Sequence, residues 1–267
     1  LVLTDKDNTG RIPTDPLFRY EPYEGADVME VQAGLYSNVG ILDIKAMYHS
    51  NADLYNISWD TLALPEEGED CGNGTYFKQG DQGLLVRQMD NMTKLRNKFK
   101  QLIKDDPDNY DKWDTMQFAC KSLVASMYGV AGDSKYGLYH PKIAAAITHT
   151  SRATLNRLKV LSEEHGSKVL YGHTDSVFCE IGSPARGEEL MRSINAKMHP
   201  IEVEFEKWCS SMVLMAKNRY AGRVEWTDGL QHEPTLYVKG IELKQSRMPP
   251  IMKEVMSTTL NEILANK

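Results

Sequence analysis

The apolar positions of this chain repeat with two different periods. Asn38-Val-Gly-Ile-Leu-Asp-Ile44 is a short, nearly continuous apolar run, as expected of a buried strand, and it contains one carboxylate, Asp43. From Leu84 to Lys104 the period becomes helical. Leu95, Phe99, Leu102 and Ile103 stand at i, i+4, i+7 and i+8 and form one apolar stripe, while Arg96, Lys100 and Lys104 form a second at the same i+4 step. Asp105-Asp-Pro-Asp-Asn109 breaks the helix. A second periodic segment, from about Asp111 to Tyr128, puts Trp113, Met116, Cys120, Leu123, Val124 and Met127 on its core face. Gln117, Lys121, Ala125 and Tyr128 lie on the adjacent face, before Gly129 ends the segment. The two segments predict an antiparallel helical hairpin.

Elsewhere the pattern predicts a short helix over Ala46 to Leu54 and a third long helix over Pro141 to about His165. Lys168-Val-Leu-Tyr171 and Ser176-Val-Phe-Cys-Glu-Ile181 flank Gly172-His-Thr-Asp175 as strand, tight turn and strand, with Asp175 at the mouth of the hairpin. Ile201 to Phe205 alternates as a half-exposed strand, Lys217 to Gly222 enters another, and Met252 to Lys267 reads as a helix. Pro65 to Gly83 holds five glycines and the acidic cluster Glu66, Glu67, Glu69 and Asp70, so it is expected to be a loop or small hairpin. Leu1 to about Glu30 is rich in Asp, Pro, Gly and Tyr without periodicity and reads as extended or looped chain. No repeat or low-complexity tract interrupts the chain.

Composition narrows the class. With 267 residues, 41% hydrophobic and 25% charged, the chain is an ordinary globular sequence, not a disordered, collagenous or membrane one. The length accommodates one large domain or two small ones. The 31 basic and 37 acidic residues leave a net charge of -6, which as a sum argues against a nucleic-acid partner. Cys71, Cys120, Cys179 and Cys209 are far apart with no CxxC pair, which supports neither a zinc knuckle nor a dense disulfide framework and makes a reducing, intracellular setting the default. No run reaches the length of a membrane span, and Leu1 opens neither a signal peptide nor, lacking Met, a natural start, so a fragment is expected.

The chemistry centres on Asp43 and Asp175. Each sits at the end of an apolar strand, where an uncompensated carboxylate is costly. Divalent metal is the obvious compensation, because Mg²⁺ takes one or two protein carboxylates and completes its shell with water and substrate phosphate. Paired metals can assist an in-line phosphoryl displacement. Cations for the remaining phosphates come from the hairpin: Met92 to Lys104 carries five Lys or Arg and no acid, and Lys121 can face Arg96 and Lys100. Taken singly, each feature has a plainer reading, since a basic helix stripe is usually a solvated face and a strand-end Asp usually a hydrogen-bonding residue.

In order along the chain, however, the features match a family. Asp43-Ile-Lys-Ala-Met-Tyr-His-Ser50 resembles the DxxSLYPS motif of B-family DNA polymerases, Lys121-Ser-Leu-Val-Ala-Ser-Met-Tyr-Gly129 resembles KxxxNSxYG, and Tyr171-Gly-His-Thr-Asp-Ser176 resembles YGDTDS. The resemblance runs from roughly Glu21 to the C-terminus and includes Ala216-Lys-Asn-Arg-Tyr-Ala-Gly222 and Lys239-Gly-Ile-Glu242. It implies an α+β polymerase palm with an antiparallel β-sheet and flanking helices, a two-helix fingers hairpin, and the start of a helical thumb. The corresponding parts are residues 1–83 and 132–240 for the palm, 84–131 for the fingers and 241–267 for the thumb.

The resemblance also implies an activity: DNA-templated addition of deoxynucleotides to a primer 3′ hydroxyl, with release of pyrophosphate. Asp43 and Asp175, with the backbone carbonyl of Ile44, would hold two Mg²⁺ ions, for which Mn²⁺ can substitute. Arg96, Lys100 and Lys121 match the positions that bind the triphosphate, with the amides of Ala46 and Met47 at its tail. Tyr48 matches the residue that excludes a 2′-hydroxyl, and Tyr128 the one that packs on the nascent base pair. Gly129, Thr174, Lys217, Arg219, Tyr220 and Lys239 match positions that meet DNA. The implied partners are primer–template DNA and deoxynucleoside triphosphates, with a processivity factor as a further candidate and no membrane. The implied location is the cytoplasm of a bacterial host for a phage protein, and the nucleus or cytoplasm otherwise.

Four positions depart from the pattern: His173 for the first Asp of YGDTDS, Ala125 for Asn, His49 for Pro and Asn218 for Lys. His173 removes a negative charge and introduces a group that titrates in the physiological range. Ala125 gives up the hydrogen bonds of an Asn. These changes are those of a divergent, viral or phage-like lineage. They also leave two other readings open: an inactive paralogue that binds DNA as a scaffold, and a metal-dependent phosphohydrolase or nuclease using the same aspartates.

Overall fold

In a computed structural model, the described residues are 25, 29–244 and 248–265. The expected looped segment over Leu1 to Glu30 therefore lies, apart from Gly25, Met29 and Glu30, outside them. In chain order the elements are β1 (Gly34–Ile44), α1 (Met47–Leu54), β2 (Leu62–Ala63), β3 (Glu69–Asp70), β4 (Tyr76–Phe77), α2 (Leu84–Asp105), α3 (Tyr110–Gly132) and α4 (Pro141–Glu164). There follow β5 (Lys168–His173), β6 (Ser176–Glu180), α5 (Pro184–Met198), β7 (Val203–Ala216), β8 (Arg219–Thr227), β9 (Leu230–Lys239) and α6 (Pro250–Ala265). This mixture of helices with antiparallel sheet is the α+β class expected.

The chain divides into two compact units, Leu1–Gly25 with Ala46–Ser151, and Ala26–Lys45 with Arg152–Lys267. The second is built on a six-stranded sheet in the order β5-β6-β1-β7-β8-β9, antiparallel at every pair. Strand β1 is central, and its Val39-Gly-Ile-Leu42 stretch is buried on both faces, which explains why it reads as a run and not as an alternation. On one side Val39, Ile41, Tyr171, Phe178, Cys209 and Tyr220 form a core. Helix α6 buries Leu260 and Leu264 with Ala221, Val238 and Ile241. Helix α5 comes close to the sheet because Gly187 has no side chain there: a Cβ would stand 2.5 Å from the Phe205 ring.

Two elements of this sheet unit carry signals that a motif-centred reading passes over. Helix α5 starts at Ser183, whose side chain accepts from the Arg186 N–H, continues with Pro184 in its first turn, and buries Leu190, Ile194 and Met198 at four-residue steps. The β8–β9 hairpin turns through Asp228 and Gly229, both at positive φ, which is the Asp-Gly signature of a tight hairpin. Strand β9 is the sheet edge, largely exposed, and so accommodates Pro234.

In the other unit α2 and α3 form the expected antiparallel hairpin. Phe99 stacks on Trp113 with ring centroids 6.0 Å apart. Three expectations for α3 are corrected. It continues past Gly129 to Gly132, and Met116 and Leu123 are exposed, at 42% and 51%. Both lie about 60° around the helix from the Trp113, Cys120, Met127 stripe and face outward, whereas Val124, Met127 and Tyr128 pack on the core of this unit. The start of α2 is held from outside: the N–H groups of Gly83, Leu84 and Leu85 donate to Asn56 Oδ1, Asp60 Oδ1 and Ser58 Oγ at 2.8, 2.9 and 3.0 Å. The segment around Pro65 to Gly83 folds into the three short strands β2, β4 and β3, and buries Phe77 with Ile57, Val86 and Ile147.

Candidate active site

The β1–β6 register determines which side chains meet. Asp43 on β1 lies opposite Ser176, the first residue of β6, and the preceding Asp175 closes the two-residue turn from β5. That turn is tight. Thr174 has φ 55, and the Asp175 N–H donates to the His173 carbonyl at 2.7 Å. The Ile44 N–H donates to the Asp175 carbonyl at 2.8 Å, so the backbone joins the residue after one aspartate to the other aspartate. Ser176 Oγ donates to Asp43 Oδ1 at 2.6 Å and stands 3.4 Å from Asp175 Oδ1. The two aspartates and the buried Ile44 are thus brought together.

The electrostatics are those of a site short of positive charge. Burial pushes the Asp43 carboxyl up to about 7. The Ser176 hydrogen bond opposes this, and the neighbouring Asp175, Glu206 and Glu204 charges add to it. Lys45 is the nearby cation along the chain, but its ammonium pairs with Glu202 at 2.9 Å and Glu204 at 3.6 Å. The hydrogen bond to Glu202 holds Lys45 above its usual range. Among the described residues neither Asp43 nor Asp175 has an ion-pair partner, and no three His, Cys, Asp or Glu side chains cluster as a closed metal site. A pair of carboxylates open on its other sides fits a hard cation that keeps water and substrate oxygens in its shell. His173 is half-buried, and burial, then the Lys239 charge, pull its imidazole down from the ordinary range.

The remaining predicted residues fall into smaller groups. Within the helical unit, Tyr48 and Tyr128 meet with ring centroids 4.7 Å apart at 48°. Arg96 Nε donates to Gln117 Oε1 at 3.2 Å. Because Arg96 pairs with Gln117 and Phe99 with Trp113, Lys100 and Lys121 flank Arg96 along the hairpin, spread over about 12 Å at 1.5 Å per residue. Ala46 adopts a left-handed conformation at the start of α1, and its own side chain offers no cap to the first N–H groups, Met47 among them.

The positions matched to DNA contacts are more mixed. Lys217 pairs with Glu30 at 2.6 Å, and Arg219 makes a two-pronged ion pair with Glu242 at 2.8 and 3.0 Å. Tyr220 is 2% exposed, with its ring at 5.0 Å from Phe178, so its side chain serves the core. Lys239 is exposed at the end of β9, Thr174 forms the turn beside Asp175, and Gly129 lies within α3. Ser176, Lys45 and Glu204 carry no signal of their own in the sequence. Ser176 sits inside a quoted motif, but its contact with Asp43 depends on strand register, which no local pattern reveals.

Comparison with known proteins matches residues 1–267 to the profile of DNA polymerase family B. The chain is 31% identical to the DNA polymerase of Archaeoglobus fulgidus over all of its own length and 34% of that protein. It is 28% identical to the catalytic polypeptide of DNA polymerase alpha from Saccharomyces cerevisiae, covering 92% of this chain and 17% of that one. The catalytic polypeptide of DNA polymerase delta from Dictyostelium discoideum is 29% identical, over 92% of this chain and 25% of its own. The chain thus spans about a third or less of the length of these relatives. No helix among the described residues is long and apolar enough to cross a membrane.

Proposed function

Since the chain belongs to DNA polymerase family B, we propose that it is the palm-and-fingers portion of a DNA-directed DNA polymerase that adds deoxynucleotides to a primer 3′ hydroxyl and releases pyrophosphate. The observation that carries this reading is the carboxylate pair. Asp43 and Asp175 are fastened side by side through Ile44 and Ser176, and Asp43 is half-buried with acidic neighbours and, among the described residues, no ion-pair partner. In this reading residues 1–83 and 132–240 are palm, 84–131 fingers and 241–267 the start of the thumb.

Asp43 and Asp175, with the Ile44 carbonyl, would hold two Mg²⁺ ions, which supply charge neutralisation at the reacting phosphate and activation of the attacking oxygen. The other roles belong to the chain's own side chains. Arg96, Lys100 and Lys121 neutralise the triphosphate, and the N–H groups of Ala46 and Met47 at the start of α1 suit its terminal oxygens. Tyr48, braced by Tyr128, closes the space that a 2′-hydroxyl would need, and Tyr128 supports the base. Lys239, Thr174 and Gly129 face the primer–template, Lys217 and Arg219 reach phosphates by exchanging Glu30 and Glu242 for them, and Tyr220 holds their strand against the core.

Primer extension by the full-length protein tests this. Template-directed lengthening of a primer that requires all four deoxynucleotides and Mg²⁺ supports the reading. Degradation of the primer in Mg²⁺ without nucleotides would replace it with a nuclease. Binding of DNA with neither reaction would replace it with an inactive scaffold.

A further inference from the structure

His49 follows Tyr48 on α1, and its side chain is only 12% exposed within the helical unit. Its Nε2 stands 2.7 Å from Asp90 Oδ1 on α2, and its Nδ1 stands 3.5 Å from Thr93 Oγ1, one turn farther along the same helix. The second oxygen of Asp90 accepts from Gln82 Nε2 at 2.9 Å, and Gln82 also donates to Asp53 Oδ1, one turn beyond His49 on α1, at 3.2 Å. Burial alone would raise the Asp90 carboxyl, but the hydrogen bonds from Gln82 and His49, the His49 charge and nearby Lys94 hold it below its usual range. The network is therefore organised around a charged Asp90.

The placement of this network suggests a purpose. Thr93, Arg96 and Lys100 lie at i, i+3 and i+7 of α2 and share a face, so the ring that holds Thr93 and Asp90 fixes the rotation and height of that face relative to α1. Tyr48 is the neighbour of His49 on α1, and its ring rests on Tyr128 of α3. The elements that would hold the sugar and the elements that would hold the triphosphate are thus joined at one imidazole. A hydrogen bond from a largely buried imidazole to a charged, half-buried carboxylate is among the stronger kind and can hold such a joint.

We propose that His49 and Asp90 form a latch that sets Arg96 and Lys100 at the correct distance from Tyr48, making His49 a positioning residue for the incoming deoxynucleoside triphosphate. The inference rests on the polymerase reading and deepens it. The latch acts through α2, so its loss weakens nucleotide binding more than it slows the chemical step.

The test is single-nucleotide incorporation by the full-length protein, together with equilibrium titration of a deoxynucleoside triphosphate onto its primer–template complex. His49→Ala and Asp90→Asn should each raise the nucleotide KM about tenfold, as expected for one charged hydrogen bond, with kcat changed by no more than about twofold. The double variant should be no worse than the weaker single one, because both remove the same contact. His49→Gln, which keeps a donor, should recover part of the loss, and it carries the test if His49→Ala does not fold. An unchanged KM in folded His49→Ala or Asp90→Asn, additive losses in the double variant, or a fall in kcat without a rise in KM would each overturn the latch. If the wild-type protein neither extends primers nor binds the nucleotide, the polymerase reading falls first and the latch with it. If it does both and the variants match it, only the latch falls.

Discussion

The Ser176 hydroxyl donates to the Asp43 carboxylate at 2.6 Å across the β1–β6 pair, from the residue next to Asp175. That hydrogen bond works against the burial that pushes Asp43 upward. Ser176→Ala should therefore make Asp43 hold its proton more tightly and accept a cation less readily at neutral pH. The Mg²⁺ concentration for half-maximal activity should rise about tenfold, the equivalent of one hydrogen bond to a charged group. A Mg²⁺ titration of primer extension checks this, and an unchanged midpoint would contradict it.

Asp43 also gives the metal-free protein a particular pH response. Burial raises its carboxyl from 3.8 to about 7, so between those values the folded state binds a proton that the unfolded state has released. The stabilising contribution is fully present below 3.8 and is lost as pH rises through about 7. Urea unfolding in EDTA should show stability falling across this window, and Asp43→Asn should flatten the fall. A wild-type profile that rises over the same range, with no change in the variant, would refute the assignment.

Much of this site could be read in the sequence, because the features that carry it are local. The run around Asp43, the tight turn at Asp175, shorter than the Gly172 to Asp175 stretch expected, and the i+4 steps of Arg96 and Lys100 each impose a period or a turn that short stretches of chain reveal. What could not be read depends on register and on partners distant in sequence. Ser176 reaches Asp43 only because β6 pairs with β1 at that register, and His49 reaches Asp90 only because α1 lies on α2. For Tyr220, too, its surroundings come from distant packing: the motif matches a position that meets DNA, and its ring lies buried beside Phe178. Net charge is a poor guide for a related reason, since -6 averages the basic stripe of α2 against acidic strands and loops.

Tyr48 rests on Tyr128 with centroids 4.7 Å apart, which limits where its ring can move. Tyr48→Ala should open that space and lose about tenfold or more of the preference for deoxyribonucleotides over ribonucleotides, a typical range for a change in pocket size. Competitive incorporation of the two sugars measures it. Selectivity equal to wild type would show that Tyr48 does not guard the 2′ position.

The base of α2 depends on borrowed caps. Asp60 accepts from the Leu84 N–H at 2.9 and 3.1 Å, and the preceding Gly83 offers no side chain of its own. Asp60→Ala should cost about 1 kcal/mol of stability, as lost caps do, and lower the melting temperature measurably. Thermal unfolding by circular dichroism tests this, with an unchanged melting temperature as the contrary result.

If Asp43 and Asp175 are the carboxylates on which nucleotide transfer depends, single-turnover incorporation of one deoxynucleotide by the full-length protein reads their loss at once. Asp43→Asn and Asp175→Asn should each lower the rate by at least about a hundredfold while leaving primer–template affinity intact, as expected when charge stabilisation at the reacting phosphate is removed. Incorporation at near wild-type rate by either variant would contradict that role for the two aspartates.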